Sequence, residues 1–527
     1  MDADVLLYEV MPKLKELSEA ADKAQWTAYT EGGDDNWEAA EDTELKVRRF
    51  LSDPELFRRI KELKNTSNDL LVNRQLDMLH DDFLPNQIPD DLMQRMVAIS
   101  NECEKVFNDY RGVVDGKQYS RNDVVEVLKD SDDSAFRQKV WESHKKAGPV
   151  VSSKVLELVQ LRNQAAKGLG FSDYRALQLA GQQHDPKTLD ILLKKLDEVT
   201  REPYRKLKEE LDMKLKQRFG TEDLRPWHYA DPFMQLAPQA TDIDFDAYYE
   251  GKDVVEIARA FYRSFGMDPD TILSRSSLYP QEKKSEHAFA FFIDRDANDA
   301  RILCNITPSD HWMDTTLHEL GHALYDTGID MKLPWMLRVP AHIFTTEGVA
   351  LMFGSLTRNP NWLQQTLDLD DAETGRIAPD IAKQERLDRL FFSRWSLVMY
   401  EFEKGIYSDP SQDLNTLWWD LVERYQMVQR PDNRDEPDWA TKDHIVSAPV
   451  YYHNYILGQF FYDQLLDRMA EEAGCAPSEI TFYNRKDLGD LLKQKVFMPG
   501  ASLHWEEFTK RATGKPLGVD AWAKRLE

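Results

Sequence analysis

Cysteine is scarce in this chain. Three occur in 527 residues, Cys103, Cys304 and Cys475, widely separated and without CxxC spacing. That excludes a disulfide framework and argues against a thiolate zinc site. No run of 18 apolar residues exists, so no segment reads as a membrane span. Positive charge is in deficit: 67 Lys+Arg stand against 93 Asp+Glu, a net charge of −26. Such a balance argues against nucleic acid and anionic membranes as partners. The opening MDADVLLYEVMPKLKEL has neither a basic n-region nor a long apolar h-region, so it is not a signal peptide. The expectation is a cytoplasmic protein, or a periplasmic or secreted one whose leader has been removed. Gly/Ser/Pro-rich linkers, internal repeats and low-complexity segments are also missing. Residues 1–527 are therefore expected to form one continuous catalytic unit, with two lobes around a cleft compatible with it.

What is present is a globular composition, 42% apolar and 11% aromatic with 13 Trp, in a chain long enough to bury a sizeable core. Helical periodicity dominates. From 149 to 181, Val155, Leu158, Leu161, Tyr174 and Leu177 fall at three and four spacing; Gly168 and Gly170 interrupt the pattern, and Ser172 is the expected N-cap of the next helix. The stretch 183–219 reads as a long charged helix broken at Pro203. Strand signals are few. The best is His287–Ile293 (HAFAFFI), then a polar RDANDA turn and Arg301–Ile306, a short hairpin. Acidic patches near 31–44 and 367–373 read as surface.

The chemistry begins at Thr315–Asp326, TTLHELGHALYD. His318 and His322 are four apart, so a helix projects both imidazoles from one face, with Glu319 beside them. This is the HExxH arrangement: two neutral histidine ligands for Zn²⁺ and a carboxylate able to take a proton from a zinc-bound water. A catalytic zinc needs a third protein ligand and one open position. A metzincin would require glycine at 325 and histidine at 328, where Tyr325 and Gly328 stand. The better candidate is Glu347 in IFTTEGVALMFGSL, placed in the first turn of a second helix capped by Thr345 or Thr346; Asp326 and Asp330 are rivals. Asp326 is better read as a group that orients a ligand imidazole. The segment Ala440–Phe460, ATKDHIVSAPVYYHNYILGQF, offers donors for an oxyanion or a carboxylate. Lys442 and His444 would point the same way from an extended stretch. Tyr452 and Tyr455 would share a helix face after Pro449, and His453 is as available as His444.

In the order HAFAF, HELGH, TEGVA and KDH…PVYYHNY, these blocks resemble the angiotensin-converting-enzyme family of zinc peptidyl-dipeptidases in a bacterial-type single-domain form. The spacing is also similar to the thimet-type oligopeptidases. The resemblance implies a mostly α fold: a helical clamshell of two lobes around a deep central cleft, with a small β-hairpin next to the HExxH helix, a gluzincin. It implies one zinc ion held by His318, His322 and Glu347, with Glu319 as general base and acid. Tyr455 would stabilise the oxyanion and His444 would support it. Lys442 and Tyr452 would grip the substrate's terminal carboxylate. His287 and Ala288 would sit on the strand that pairs with the peptide. Substrates would be short peptides with a free C-terminus, cut two residues from the end.

Departures from the family pattern carry their own expectations. Tyr229 in RPWHYADPF stands where a clamp glutamine is expected, so the clamp should differ. Asn454 replaces a chloride-coordinating arginine, which makes chloride activation doubtful. Glu286 faces Cys304 where a disulfide partner would be. Leu351 occupies the place of an acidic residue one turn after the third ligand, so the groups supporting the ligands must differ. The alternatives are an oligopeptidase or metallocarboxypeptidase on the same fold, a non-catalytic peptide- or protein-binding clamshell, and a non-peptide hydrolase. The intact Glu319 argues against the binding protein, and Lys442 against the non-peptide hydrolase.

Overall fold

Short acidic and hydroxyl side chains decide where helices begin in this chain. Asp53, Asp69, Asp133, Asp185, Asp253 and Ser309 each accept a hydrogen bond from a backbone N–H of the first turn that follows, satisfying a donor that the helix leaves open. In the computed structural model, which describes residues 3–239 and 243–526, 69% of the chain is helical and 3% is strand. The fold is therefore mostly α, as expected. No described helix is long and apolar enough to cross a membrane.

The chain divides into two compact units. Unit 1 comprises Met1–Gln87, Asp242–Ile381 and Leu457–Trp522. One of its cores gathers Leu6, Val10 and Leu14 with Ile60, Leu76, Leu79 and Phe83, all nearly inaccessible. Its hairpin pairs Phe289–Asp294 with Asp299–Leu303, antiparallel, Phe289 opposite Leu303 and Phe291 opposite Arg301. Phe291 meets Trp26 and Phe289 meets Tyr29, at ring-centroid distances of 5.5 and 5.0 Å, on the helix Ala3–Glu31.

Both hairpin boundaries shift from the sequence expectation. Asn305 donates from its side chain to the carbonyls of Ser285 and Glu286, so His287 and Ala288 lie before the strand, which starts at Phe289. At the other end Cys304 donates its N–H to Ser277, and the second strand closes at Leu303 instead of reaching Ile306. The HELGH helix, Asp310–Thr327, packs on the helix Ile343–Gly354. A methyl group added at Gly321 would stand 3.1 Å from Ala350 Cα, and one at Gly348 would stand 2.7 Å from the Gly458 carbonyl oxygen.

Unit 2 comprises Ile88–Thr241, Ala382–Ile456 and Ala523–Glu527. Val155 and Leu158 are buried in the helix Ala147–Gly168, as periodicity suggests. The next helix, Tyr174–Gly181, is capped by Asp173 and not by Ser172: the carboxylate takes the Ala176 N–H, while the Ser172 hydroxyl donates to Asp173. The charged stretch is one helix, Pro186–Phe219, uninterrupted at Pro203. Leu196, Thr200 and Tyr204 are buried on either side of the proline and the Tyr204 hydroxyl donates to the Gln426 carbonyl at 2.8 Å. Tertiary anchoring thus outweighs the lost N–H. A second hairpin, Gly112–Val114 with Lys117–Tyr119, turns on Asp115 and Gly116, both at positive φ. The Asp-Gly pair was its sequence signal, and its strands were too short to stand out.

The Gly321 contact gives a direct test. Gly321→Ala forces a methyl group against backbone atoms of the partner helix, and such overpacking typically costs about 1–3 kcal/mol. The midpoint of guanidinium unfolding should fall. An unchanged midpoint would mean that the two helices stand further apart than described.

Candidate metal centre and active site

The HELGH helix starts at Ser309, whose hydroxyl caps the Trp312 N–H, and Leu317, Leu320 and Leu324 bury its apolar stripe. That rotation leaves His318 and His322 on the face turned toward Glu347. Their Nε2 atoms are 3.3 Å apart. Glu347 Oε1 is 3.9 Å from His318 Nε2, and its Oε2 is 3.8 Å from His322 Nε2. Two ligands at about 2.1 Å from a tetrahedral zinc stand about 3.4 Å apart; one ligand atom from each side chain lies within 4.8 Å of the others, so the donor set fits such an ion once Glu347 closes on the imidazoles. Among the described residues this is the group of three His, Cys, Asp or Glu side chains that comes close enough to hold a metal. Their side chains are 22%, 17% and 16% exposed, respectively for His318, His322 and Glu347, so the donors are enclosed yet within reach of water.

The electrostatics suit the donor set. Burial pushes His318 down to about 4 and His322 well below the usual histidine value, the latter helped by His318. Both imidazoles are therefore neutral at pH 7, with lone pairs to offer. Burial pushes Glu347 up to about 7; burial and the nearby Glu347 push Glu319 up to about 8. A dication among them favours the ionised form of both carboxylates.

The supports differ from the expectation. The ligand helix is capped by His342, and Thr345 completes a capping box, so Glu347 lies in the second turn and not the first. Thr346 does not cap the helix; its hydroxyl lies 2.7 Å from His322 Nδ1. A metal held on Nε2 would leave the proton on Nδ1, where it would donate to Thr346. Asp326, expected to orient a ligand imidazole, is buried: burial pushes its carboxyl up to about 7, opposed by the charge of Arg295. Asp330 accepts from the Lys332 N–H and is not in the triplet. Cys304 is buried and unbridged, and Cys103 and Cys475 are unbridged as well. His287 is exposed and Ala288 half-buried, just ahead of the first hairpin strand.

The other predicted residues lie in unit 2. Asp438–Thr441 forms a tight turn and His444–Ser447 a short helix, so Lys442 and His444 do not stand on an extended stretch. Arg162 donates to the carbonyls of Ile445 and Val446 at 2.7 and 2.6 Å, fixing the end of that helix. Lys442 is buried, 2% exposed, among the rings of Phe233, Trp395 and Tyr452. Its Nζ donates to Gln235 Oε1 at 3.2 Å. Tyr452 precedes the helix His453–Ala473, yet its ring still meets Tyr455 at 5.5 Å and His444 at 4.9 Å. His453 points elsewhere, to Gln182 Oε1 at 3.0 Å.

A family model described as Angiotensin-converting enzyme matches residues 1–521. The chain belongs to the angiotensin-converting enzyme family. Angiotensin-converting enzyme of Theromyzon tessulatum is 20% identical over 537 aligned residues, covering 94% of this chain and 85% of that protein. Carboxypeptidase 1 of Bacillus subtilis (strain 168) is 25% identical over 228 residues, covering 39% of this chain and 44% of that protein. Membership in the angiotensin-converting enzyme family makes the chain a metallopeptidase with peptide substrates, in a family that depends on zinc.

Tyr229 stands where a glutamine was expected, and a different glutamine meets Lys442. The Tyr229 hydroxyl is engaged with Lys208 Nζ and Asp212 at 2.7 and 3.0 Å. The glutamine beside Lys442 is Gln235, in DPFMQL six residues later. Its signal was a Gln further downstream of the same Trp, outside the window that the Trp anchors.

Thr346→Val tests the support of His322. Loss of a group that orients a metal-ligating histidine typically costs about 10–100-fold in metal affinity. Competition with a chromophoric zinc chelator should show that loss in a folded variant. Affinity equal to wild type would remove Thr346 from the ligand's support.

Proposed function

We propose that residues 1–527 act as one catalytic unit, a zinc peptidyl-dipeptidase that releases dipeptides from the free C-termini of short peptides. The observation that carries this reading is the meeting of His318, His322 and Glu347 with a buried Glu319 beside them. A zinc ion held by the three donors would lower the pKa of water toward about 7 and polarise the scissile carbonyl. Glu319 takes the proton of the attacking water on its carboxylate and delivers it to the leaving amine nitrogen. The Tyr455 hydroxyl donates to the developing oxyanion, and His444 touches the bound peptide. Lys442, Gln235 and Tyr452 grip the terminal carboxylate, which sets the cut two residues upstream. The backbone at His287 and Ala288, leading into the first hairpin strand, pairs with the extended peptide.

The match to Carboxypeptidase 1 over 39% of the chain supports a second reading, removal of single C-terminal residues. Product mapping by mass spectrometry separates the two. Zinc-loaded protein is given a ten-residue peptide with a free C-terminus, the same peptide amidated, and Glu319→Gln as control. Stepwise loss of two residues, suppressed by amidation, is expected. Single-residue loss would make it a carboxypeptidase, internal cuts indifferent to amidation an oligopeptidase, and no cleavage with zinc bound would revive a binding or non-peptide role. Glu319→Gln should keep zinc and lose about 10²-fold or more in kcat; wild-type turnover would take Glu319 out of the mechanism.

Lys442 adds a pH signature. Burial pushes its ammonium down to about 8, with Asp443 opposing that shift. Below that pH the side chain is charged and able to hold a carboxylate; above it the charge is lost. KM for the free peptide should be level up to about pH 8 and rise beyond it, and Lys442→Met should abolish the rise. A flat KM through pH 9.5 in wild type would separate Lys442 from carboxylate binding.

A further inference from the structure

Between Lys442 and His444 stands Asp443, to which neither motif reading gives a role. Its carboxylate is engaged on both oxygens. Oδ1 accepts the His444 backbone N–H at 3.0 Å and lies 2.8 Å from His444 Nδ1. Oδ2 accepts from Arg121 Nη1 at 2.9 Å, and Lys442 Nζ is 3.8 Å from Oδ1. An ionised carboxylate is an acceptor only. The proton in the short contact to His444 must therefore sit on Nδ1, which leaves Nε2 as the nitrogen offered to a ligand. The imidazole ring is confined on another side by Tyr452, centroids 4.9 Å apart and planes tilted by 46°. His444 keeps 25% of its side chain exposed, so it is held in place without being sealed off.

The pairing with Arg121 is a poor device for stability. Arg121 is 47% and Asp443 29% exposed, and ion pairs that water reaches so freely contribute little. What the arginine adds is a second hold on the carboxylate, through Oδ2, while Oδ1 stays on His444. Burial pushes the Asp443 carboxyl up, but the hydrogen bond from His444 and the charges of Lys442 and Arg121 outweigh it and hold the group well below the usual carboxylate range. It remains an acceptor across the working pH range.

We propose that Asp443 is a positioning residue that fixes the Nδ1–H tautomer and the ring direction of His444, so that Nε2 is presented to the reacting peptide. With its proton on Nδ1, His444 offers Nε2 as an acceptor, which serves a peptide N–H and leaves the oxyanion to Tyr455. The kinetic consequence rests on the proposed reading that His444 touches the bound peptide; the tautomer does not.

Asp443→Ala is the informative variant. It removes the acceptor of Nδ1–H together with the cap on the His444 N–H, while Arg162 still holds the Ile445 and Val446 carbonyls of the short helix. Asparagine keeps one oxygen that can stay on His444 for both bonds, so Asp443→Asn should retain the wild-type tautomer. Nitrogen-15 histidine spectra, with His444→Gln to identify the signal, should show a protonated, pyrrole-type Nδ1 in wild type and a shift toward Nε2–H in Asp443→Ala. Arg121→Met, which leaves the carboxylate, should keep the wild-type tautomer. On the free peptide, Asp443→Ala should lower kcat/KM about 10-fold or more with zinc content unchanged. An Nε2–H tautomer in wild type, or wild-type nitrogen signals in Asp443→Ala, would overturn the proposal, as would an unchanged kcat/KM. Should the wild-type protein cleave no peptide, the nitrogen signals alone decide on Asp443, and the failure belongs to the proposed activity.

Discussion

The metal donors depend on how closely two helices can approach. His318 and His322 come from one helix and Glu347 from another, and helices with ordinary side chains between them stand about 8–10 Å apart. Gly321 lies between the two histidines in sequence, and a methyl group there would already press on Ala350 Cα at 3.1 Å. The ligand helix is wedged from another direction by Gly348 against the Gly458 carbonyl. Glycine at these positions is a matter of clearance, since neither 321 nor 348 has a positive φ. The same clearance lets Thr346, one residue before Glu347, reach His322 Nδ1.

A different constraint governs the tyrosines of unit 2. Val450 sits at φ 56, a conformation that a β-branched residue adopts only at a cost of about 1–3 kcal/mol. Its N–H donates to the buried Glu403 Oε1 at 2.7 Å, and its carbonyl accepts from Gln182 Nε2 at 2.9 Å. Gln182 also takes the Asn454 amide at 2.9 Å on its own oxygen. Both backbone groups of the strained residue are therefore pinned by side chains from separate parts of the chain, and the turn that carries Tyr452 toward Tyr455 is determined from outside. Asn454 has no charge to be balanced by an anion, and its polar atoms face Gln182 and His184.

The parts of this arrangement that were legible in the sequence share one property: they follow from spacing along a single element. His318 and His322 at four residues, Glu319 beside them, the aromatic alternation of the hairpin and the periodicity of Val155 and Leu158 are of that kind. The parts that were not legible depend on which residue another element brings near. Pro203 continues a helix because Tyr204 is anchored to the Gln426 carbonyl. The first hairpin strand starts late because the Asn305 side chain takes two carbonyls. Gln235, and not a residue at 229, meets Lys442, since Tyr229 is already held by Lys208 and Asp212. Asp173 displaces Ser172 as a cap because a carboxylate accepts more strongly than a hydroxyl that can itself donate. None of these outcomes breaks a local rule; each is a choice between two local rules, and most are made by a distant partner.

Charge shows the same division between global and local. The chain carries −26 overall, which by itself would disfavour a ligand ending in a carboxylate. Screening confines that repulsion to about 8–10 Å at moderate salt, so the groups within a few ångströms decide. Around Lys442 those groups are unusual for an acidic protein. Lys145 is buried as well, 2% exposed, its Nζ 3.7 Å from the Phe233 ring centroid and 3.2 Å from the Thr441 hydroxyl. Burial pushes it down to about 7, and Lys442 adds to that push. The Asp443 carboxylate lies 3.8 Å from Lys442 Nζ and is already shared with Arg121 and His444. Lys442 is thus solvated mainly by rings and one amide, a setting in which an ammonium is underpaired. A buried cation without a full partner is destabilising to the protein and gains most from an arriving anion.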